Sequence, residues 1–95
     1  MIPVAEADPV QIDGVKVYRH VVARGDDLLK LGSLDNTRWV ECDLRDTEWP
    51  TSIHNLTIID SDISHSRWNF VDASDIKFLG TKRIKIAMAT GGSHA

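Results

Sequence analysis

Between Gly32 and Gly80 the chain divides into ten consecutive short units: GSLDN, TRWVE, CDLRD, TEWP, TSIHN, LTIID, SDISH, SRWNF, VDASD and IKFLG. Nine have five residues and one has four. The third position reads Leu34, Trp39, Leu44, Trp49, Ile53, Ile58, Ile63, Trp68, Ala73 and Phe78, apolar every time. In a chain that is 42% apolar, ten in ten has a chance of roughly one in five thousand before discounting for the choice of phase and the one slip. All three tryptophans fall in this column. The first position is small, β-branched or aliphatic throughout, and the second is always polar.

Inward residues therefore recur two and then three positions apart, which is neither the period of two of a flat strand nor the 3.6 of a helix. Such a chain must turn a corner in every unit. A right-angled turn every five residues closes a square coil every twenty, and stacked coils sit about 4.8 Å apart with backbone hydrogen bonds between them. The expected fold is mainly β, a β-solenoid.

The columns resemble the pentapeptide-repeat family, whose unit is a small residue, then Asp or Asn, then Leu or Phe, then two polar residues. CDLRD and SDISH fit that unit closely; TRWVE and SRWNF fit it with Trp at the centre. The resemblance implies a short right-handed, four-sided β-helix over residues 32 to about 80, about two and a half coils. Trp at the centre is bulkier than the family's usual residue, and Leu56 and Ile76 are large for the first position. TEWP lacks one residue and carries Pro50, which removes a backbone donor, so an irregular ladder is expected there.

Both ends of so short a stack expose core, and atypical flanks are the natural caps. Residues 1–31 are expected to form an N-terminal cap. Within it VQIDGVKVYRHVVARG has a DG turn between apolar runs, a hairpin signal. GDDLLKLG suggests one helical turn capped by Asp26. Residues 81–95 are expected to supply a closing strand in RIKIAMA and a frayed tail. The whole forms one structural domain.

Candidate chemistry is sparse. Asp62, Ser64 and His65 in SDISH have the residue types of a hydrolytic site, but the repeat places them on the outer surface without an oxyanion hole. A hydrolase is the least favoured reading. A nineteen-residue step over the short coil sets His54 above Asp35 and His65 above Asp46, two separate pairs rather than three converging metal ligands. Cys42, at an inward first position, is expected to pack in the core; a single cysteine also fits a reducing compartment such as the cytoplasm. RGD at 24–26 marks a turn. Neither a membrane span nor a secretory leader is evident, and no cofactor or metal is expected.

Charge is the remaining signal. Residues 1–31 carry a net −1, residues 32–80 a net −5 and residues 81–95 a net +3. The nineteen-residue step stacks Glu41 on Asp60 and Asp43 on Asp62, with Asp46, Asp72 and Asp75 elsewhere outside. Like charges one coil apart repel, and a DNA duplex presents one charge per about 1.7 Å. The expected function is a non-enzymatic inhibitor whose acidic surface mimics DNA and blocks the basic groove of a nucleic-acid-handling protein, without touching nucleic acid or membrane. Some pentapeptide-repeat proteins mimic DNA and bind topoisomerases such as gyrase; this chain reaches across such a groove only as a homodimer. A short acidic chain fits better the small phage-encoded inhibitors of restriction or CRISPR effectors. The alternative is a structural or assembly module that oligomerises or docks through the solenoid ends.

Overall fold

The computed structural model describes residues 1–90. Its strands are β1 (Ile2–Pro3), β2 (Val10–Ile12), β3 (Val15–Arg19), β4 (Val21–Val22), β5 (Thr37–Val40), β6 (Ser52–Ile59), β7 (Arg67–Phe70), β8 (Asp72–Leu79) and β9 (Ala87–Thr90). β3, β5, β6 and β8 form a parallel ladder on one side of the molecule, so the chain is a β-solenoid of about four turns. The other sides stack through Val22, Asp43, Asp62 and Lys82, through Glu48, Arg67 and Ala87, and through Ser52 and Asp72.

The step between coils is 19 where TEWP intervenes, pairing Trp39 with Ile58, and 20 where it does not, pairing Ile58 with Phe78. The solenoid also runs beyond residues 32–80 on both sides. Lys16 pairs with Thr37 and Tyr18 with Trp39, so the first coil lies upstream of Gly32, and about four coils replace the two and a half expected. The columns hid it because Asp26–Leu31 adds one residue, giving a step of 21. Downstream, Lys82 stacks on Asp62 and β9 pairs in parallel with β7. Residues 81–90 therefore complete the fourth coil rather than close the stack. The tail beyond Thr90 lies outside the described residues.

The corners explain the fifth column. Asn36, Glu41, Asp46, Asn55, Asp60, His65, Asp75 and Lys85 all have φ between 48° and 64°, and Gly80 joins them at 60°. A residue in the left-handed region reverses the inward-outward alternation and turns the chain. Asn, Asp and Gly tolerate that region at least cost. The third corner differs: Pro50, fixed near φ −65°, and Phe70 are not left-handed. Phe70, expected to point outward, is instead buried against Trp68 at 5.6 Å between ring centroids.

Aromatic rings fill the coil interiors. Tyr18 stacks on Trp39 at 4.1 Å and Trp49 on Trp68 at 4.2 Å. Each indole N–H is satisfied by one recurring device. Trp39, Trp49 and Trp68 donate to the hydroxyls of Thr37, Thr47 and Ser66 two residues earlier, at 3.1, 2.8 and 2.8 Å. Those hydroxyls donate to the carbonyls of Leu34, Leu44 and Ile63. The indoles can thus be fully buried without leaving a donor unpaired.

Of the expected core centres, Leu34, Trp39, Leu44, Trp49, Ile53, Ile58, Ile63 and Trp68 are buried. Ala73 is exposed and Phe78 only half-buried, because both lie in the fourth coil, which no described residue covers. At the other end β2 and β3 form the expected antiparallel hairpin, turning at Asp13 and Gly14. β1 pairs with β4, and Val4 and Leu28 are buried in the end of the core. The Leu29–Leu31 turn has no side-chain cap; it is the Asp26 backbone carbonyl that accepts from Leu29.

Candidate functional site

The left-handed corner following β5 and its equivalents in neighbouring coils carry the expected acids. His20, Glu41, Asp60 and Gly80 succeed one another up this corner, held by bonds from His20 to Val40, Glu41 to Ile59 and Asp60 to Leu79. Glu41 and Asp60 are exposed. The His20 ring lies 3.3 Å from the Glu41 carboxylate. A Cβ at Gly80 would meet the Asp60 carboxylate and turn it aside. His20, Glu41 and Asp60 border an open groove of about 450 Å³ that also takes in Asp43, Arg45, Asp62 and Lys82.

The second acidic pair is different in kind. Asp43 and Asp62 stack as expected, but the column continues with Lys82 above Asp62. Arg45 donates Nε–H and an Nη–H to the two Asp43 oxygens at 2.8 and 2.9 Å, and Arg24 donates to it at 2.7 Å. The Arg45 fork, with Arg24 behind it, holds the Asp43 carboxyl far below the usual carboxylate range, against the opposing push of partial burial. Asp43 is thus a structural anion rather than a free one. Asp62 accepts from the Ser64 backbone N–H at 2.9 Å, a local turn bond.

The remaining acids do not join this surface. Asp46 turns the next corner, whose bonds run from Asp46 to Ser64 and from His65 to Ile84. Asp72 and Asp75 lie on the side of the fourth coil that follows the Phe70 corner, with Asp72 3.2 Å from the His54 ring. The seven acids thus comprise a corner pair, an arginine-bound carboxylate with Asp62 stacked on it, and scattered single charges.

The other candidates take definite places. Ser64, expected outside, is buried, because its hydroxyl accepts the Ile84 N–H of the next coil at 3.1 Å; it makes no bond to His65, which is exposed. Asp35 receives the His54 backbone N–H at 2.8 Å, while the His54 ring turns to Asp72 and to Ser74 at 2.8 Å. Among the described residues no group of three or more side chains is placed to hold a metal ion, and no helix is long and apolar enough to cross a membrane. Burial pushes the Cys42 thiol up from its ordinary value, as for an inert core thiol.

Sequence reasoning missed the bases. Arg45 was legible, since residues two apart on one strand face the same way. Arg24 and His20 were not, because they belong to the coil upstream of Gly32. No known family model, no curated protein and no solved structure matches the chain.

Proposed function

We propose that the protein is a non-enzymatic binding protein whose acidic corner docks in the basic groove of a nucleic-acid-handling protein and obstructs it. Small phage-type inhibitors of CRISPR or restriction complexes are the fitting class; a topoisomerase groove is the alternative target. Glu41 carries the reading. Its corner asks for Asn, Asp or Gly, yet a longer acid stands there in a conformation that costs an ordinary residue about 1–2 kcal/mol. It also stacks on a second exposed carboxylate, Asp60. Backbone geometry does not call for that choice; among the described residues the carboxylate meets only the His20 ring, at 3.3 Å, and a cationic partner would reward it further.

Of the seven acids, Glu41, Asp60 and Asp62 are the group proposed to meet the partner. Immobilised protein should capture nucleic-acid-binding proteins from a bacterial lysate, and both added duplex DNA and salt should release them. A Glu41→Lys, Asp60→Lys, Asp62→Asn variant with an unchanged circular dichroism spectrum should capture none of them. Equal capture by that variant, or capture indifferent to DNA, would sink the proposal.

A further inference from the structure

Among the described residues, nothing covers the interior of the fourth coil, residues 71–90. One coil down, Ile53 and Ile58 are wholly buried and Trp68 is 2% exposed; above them Ala73 is exposed, Phe78 is half-buried and Met88 is 45% exposed. Val71 is 67% exposed, and Ile76 and Ile86 are only partly covered. No further strand among the described residues pairs with β8 or β9, so each has a free edge. This end is an apolar patch rimmed by strand edges that can accept another strand.

Charge on the rim selects an occupant. The sides follow in the order 71–75, 76–80, 81–85 and 86–90, so 71–75 lies opposite 81–85. The first carries Asp72 and Asp75; the second carries Lys82, Arg83 and Lys85. Lys77 is the single charge on 76–80, and 86–90 has none. A twofold axis across the end, through the middles of 76–80 and 86–90, exchanges the other two sides. Each acidic side then meets the basic side of a second copy, twice over. The same axis sets the 76–79 half of β8 antiparallel to its copy and Met88 near Met88. A twofold turned by a right angle would instead set acid on acid and base on base, a repulsive arrangement. Arg83, whose guanidinium lies 5.5 Å from the Phe78 ring centroid, would stand at the boundary of the apolar and charged zones.

From this we infer that the fourth coil is a self-association surface: two copies stack end to end about that twofold, with Asp72 and Asp75 of each against Lys82, Arg83 and Lys85 of the other. The isologous pattern is that of ordinary closed dimers. One coil end supplies twenty residues, the low end of the roughly 20–30 per side of stable interfaces, so association should depend on concentration. The inference is independent of the acidic-corner proposal, since it uses none of Glu41, Asp60 or Asp62.

Sedimentation velocity on the whole chain, with native mass spectrometry, tests it. Wild type should be dimeric at concentrations on the order of 100 µM and dissociate on dilution. Asp72→Lys with Asp75→Lys should be monomeric, because all charged sides of the end become basic. Lys82→Asp with Lys85→Asp should be monomeric because its end becomes predominantly acidic. Circular dichroism should show both folded, since Lys85 already occupies a left-handed corner equivalent to that of Asp75. Mixed in equal amounts, the two variants should recover a dimer containing one copy of each. Monomeric wild type at the highest concentration, undiminished dimers in either variant, or a mixture of folded variants that stays monomeric would each overturn the inference.

Discussion

Thr47 offers the sharpest test of how the coils are held together. It is fully buried, and its hydroxyl donates to the Leu44 carbonyl at 2.6 Å while accepting the Trp49 indole N–H at 2.8 Å. Thr47→Val keeps the shape and removes both bonds. The stranded indole N–H costs about 1–3 kcal/mol and the lost bond to Leu44 about 0.5–1.5 kcal/mol. The added methyl returns about 0.8 kcal/mol, leaving a net loss of about 1–4 kcal/mol, centred on about 2 kcal/mol. Thr47→Ser keeps the relay and removes one methyl, about 1 kcal/mol with its small cavity. At the central value, for a chain of this size, the valine variant should melt about 8–16 °C lower than wild type.

Urea unfolding followed by tryptophan fluorescence measures both variants. The packing account and the relay account predict opposite orders, because valine preserves packing and serine preserves the relay. A valine variant as stable as the serine one would refute the relay. A second check uses Trp49→Phe, which has no N–H to strand. In that background Thr47→Val should cost about 1 kcal/mol less, a coupling visible in a double-mutant cycle.

Two further expectations concern the corners and Asp43. Lys85→Asn, which places a tolerant residue at φ 54°, should raise stability by about 0.5–1 kcal/mol, whereas Lys85→Val should lower it by about 1–2 kcal/mol; both are read from urea midpoints. Asp43 has a depressed folded-state pKa, so its contribution is present above the ordinary carboxylate range near 4 and lost as pH falls from there towards the folded value. Asp43→Asn should therefore destabilise by about 1 kcal/mol at pH 7 and flatten the decline in stability below about pH 4; an acid limb identical to wild type would count against the arginine clamp.

The central sides of the solenoid were legible because their period is strict. Leu34 to Trp68 carry an apolar residue in every unit, and TEWP announced its own nineteen-residue step. The first and fourth coils were harder to see for physical reasons. Asp26–Leu31 lengthens the first by one residue and moves it out of phase, while Arg83 stands at a third position that the repeat reserves for apolar side chains. Ala73 and Phe78 followed the pattern yet escaped burial, because burial depends on a covering coil as well as on an inward direction. Phe70 broke the pattern because its corner, like that at Pro50, is not left-handed.

The acidic surface was legible as composition but not as cause. Asp46, Asp60 and Asp75 stand at left-handed corners, the same place as Asn36 and Asn55, where a short polar side chain is the least costly choice after glycine. Asp62 and Asp43 sit in second positions and accept backbone N–H groups two residues on, from Ser64 at 2.9 Å and Arg45 at 3.4 Å; Ser33 does the same for Asp35 at 3.1 Å. A square coil therefore recruits aspartate twice per unit for reasons of backbone geometry alone. Net charge is a poor guide to function in such a fold. An acid is informative where the backbone would be content with something else, and among the acids at left-handed corners Glu41 is the one that meets this condition. Replacing it with Asn separates the two causes in one variant: the corner should become more stable while capture of a cationic partner weakens.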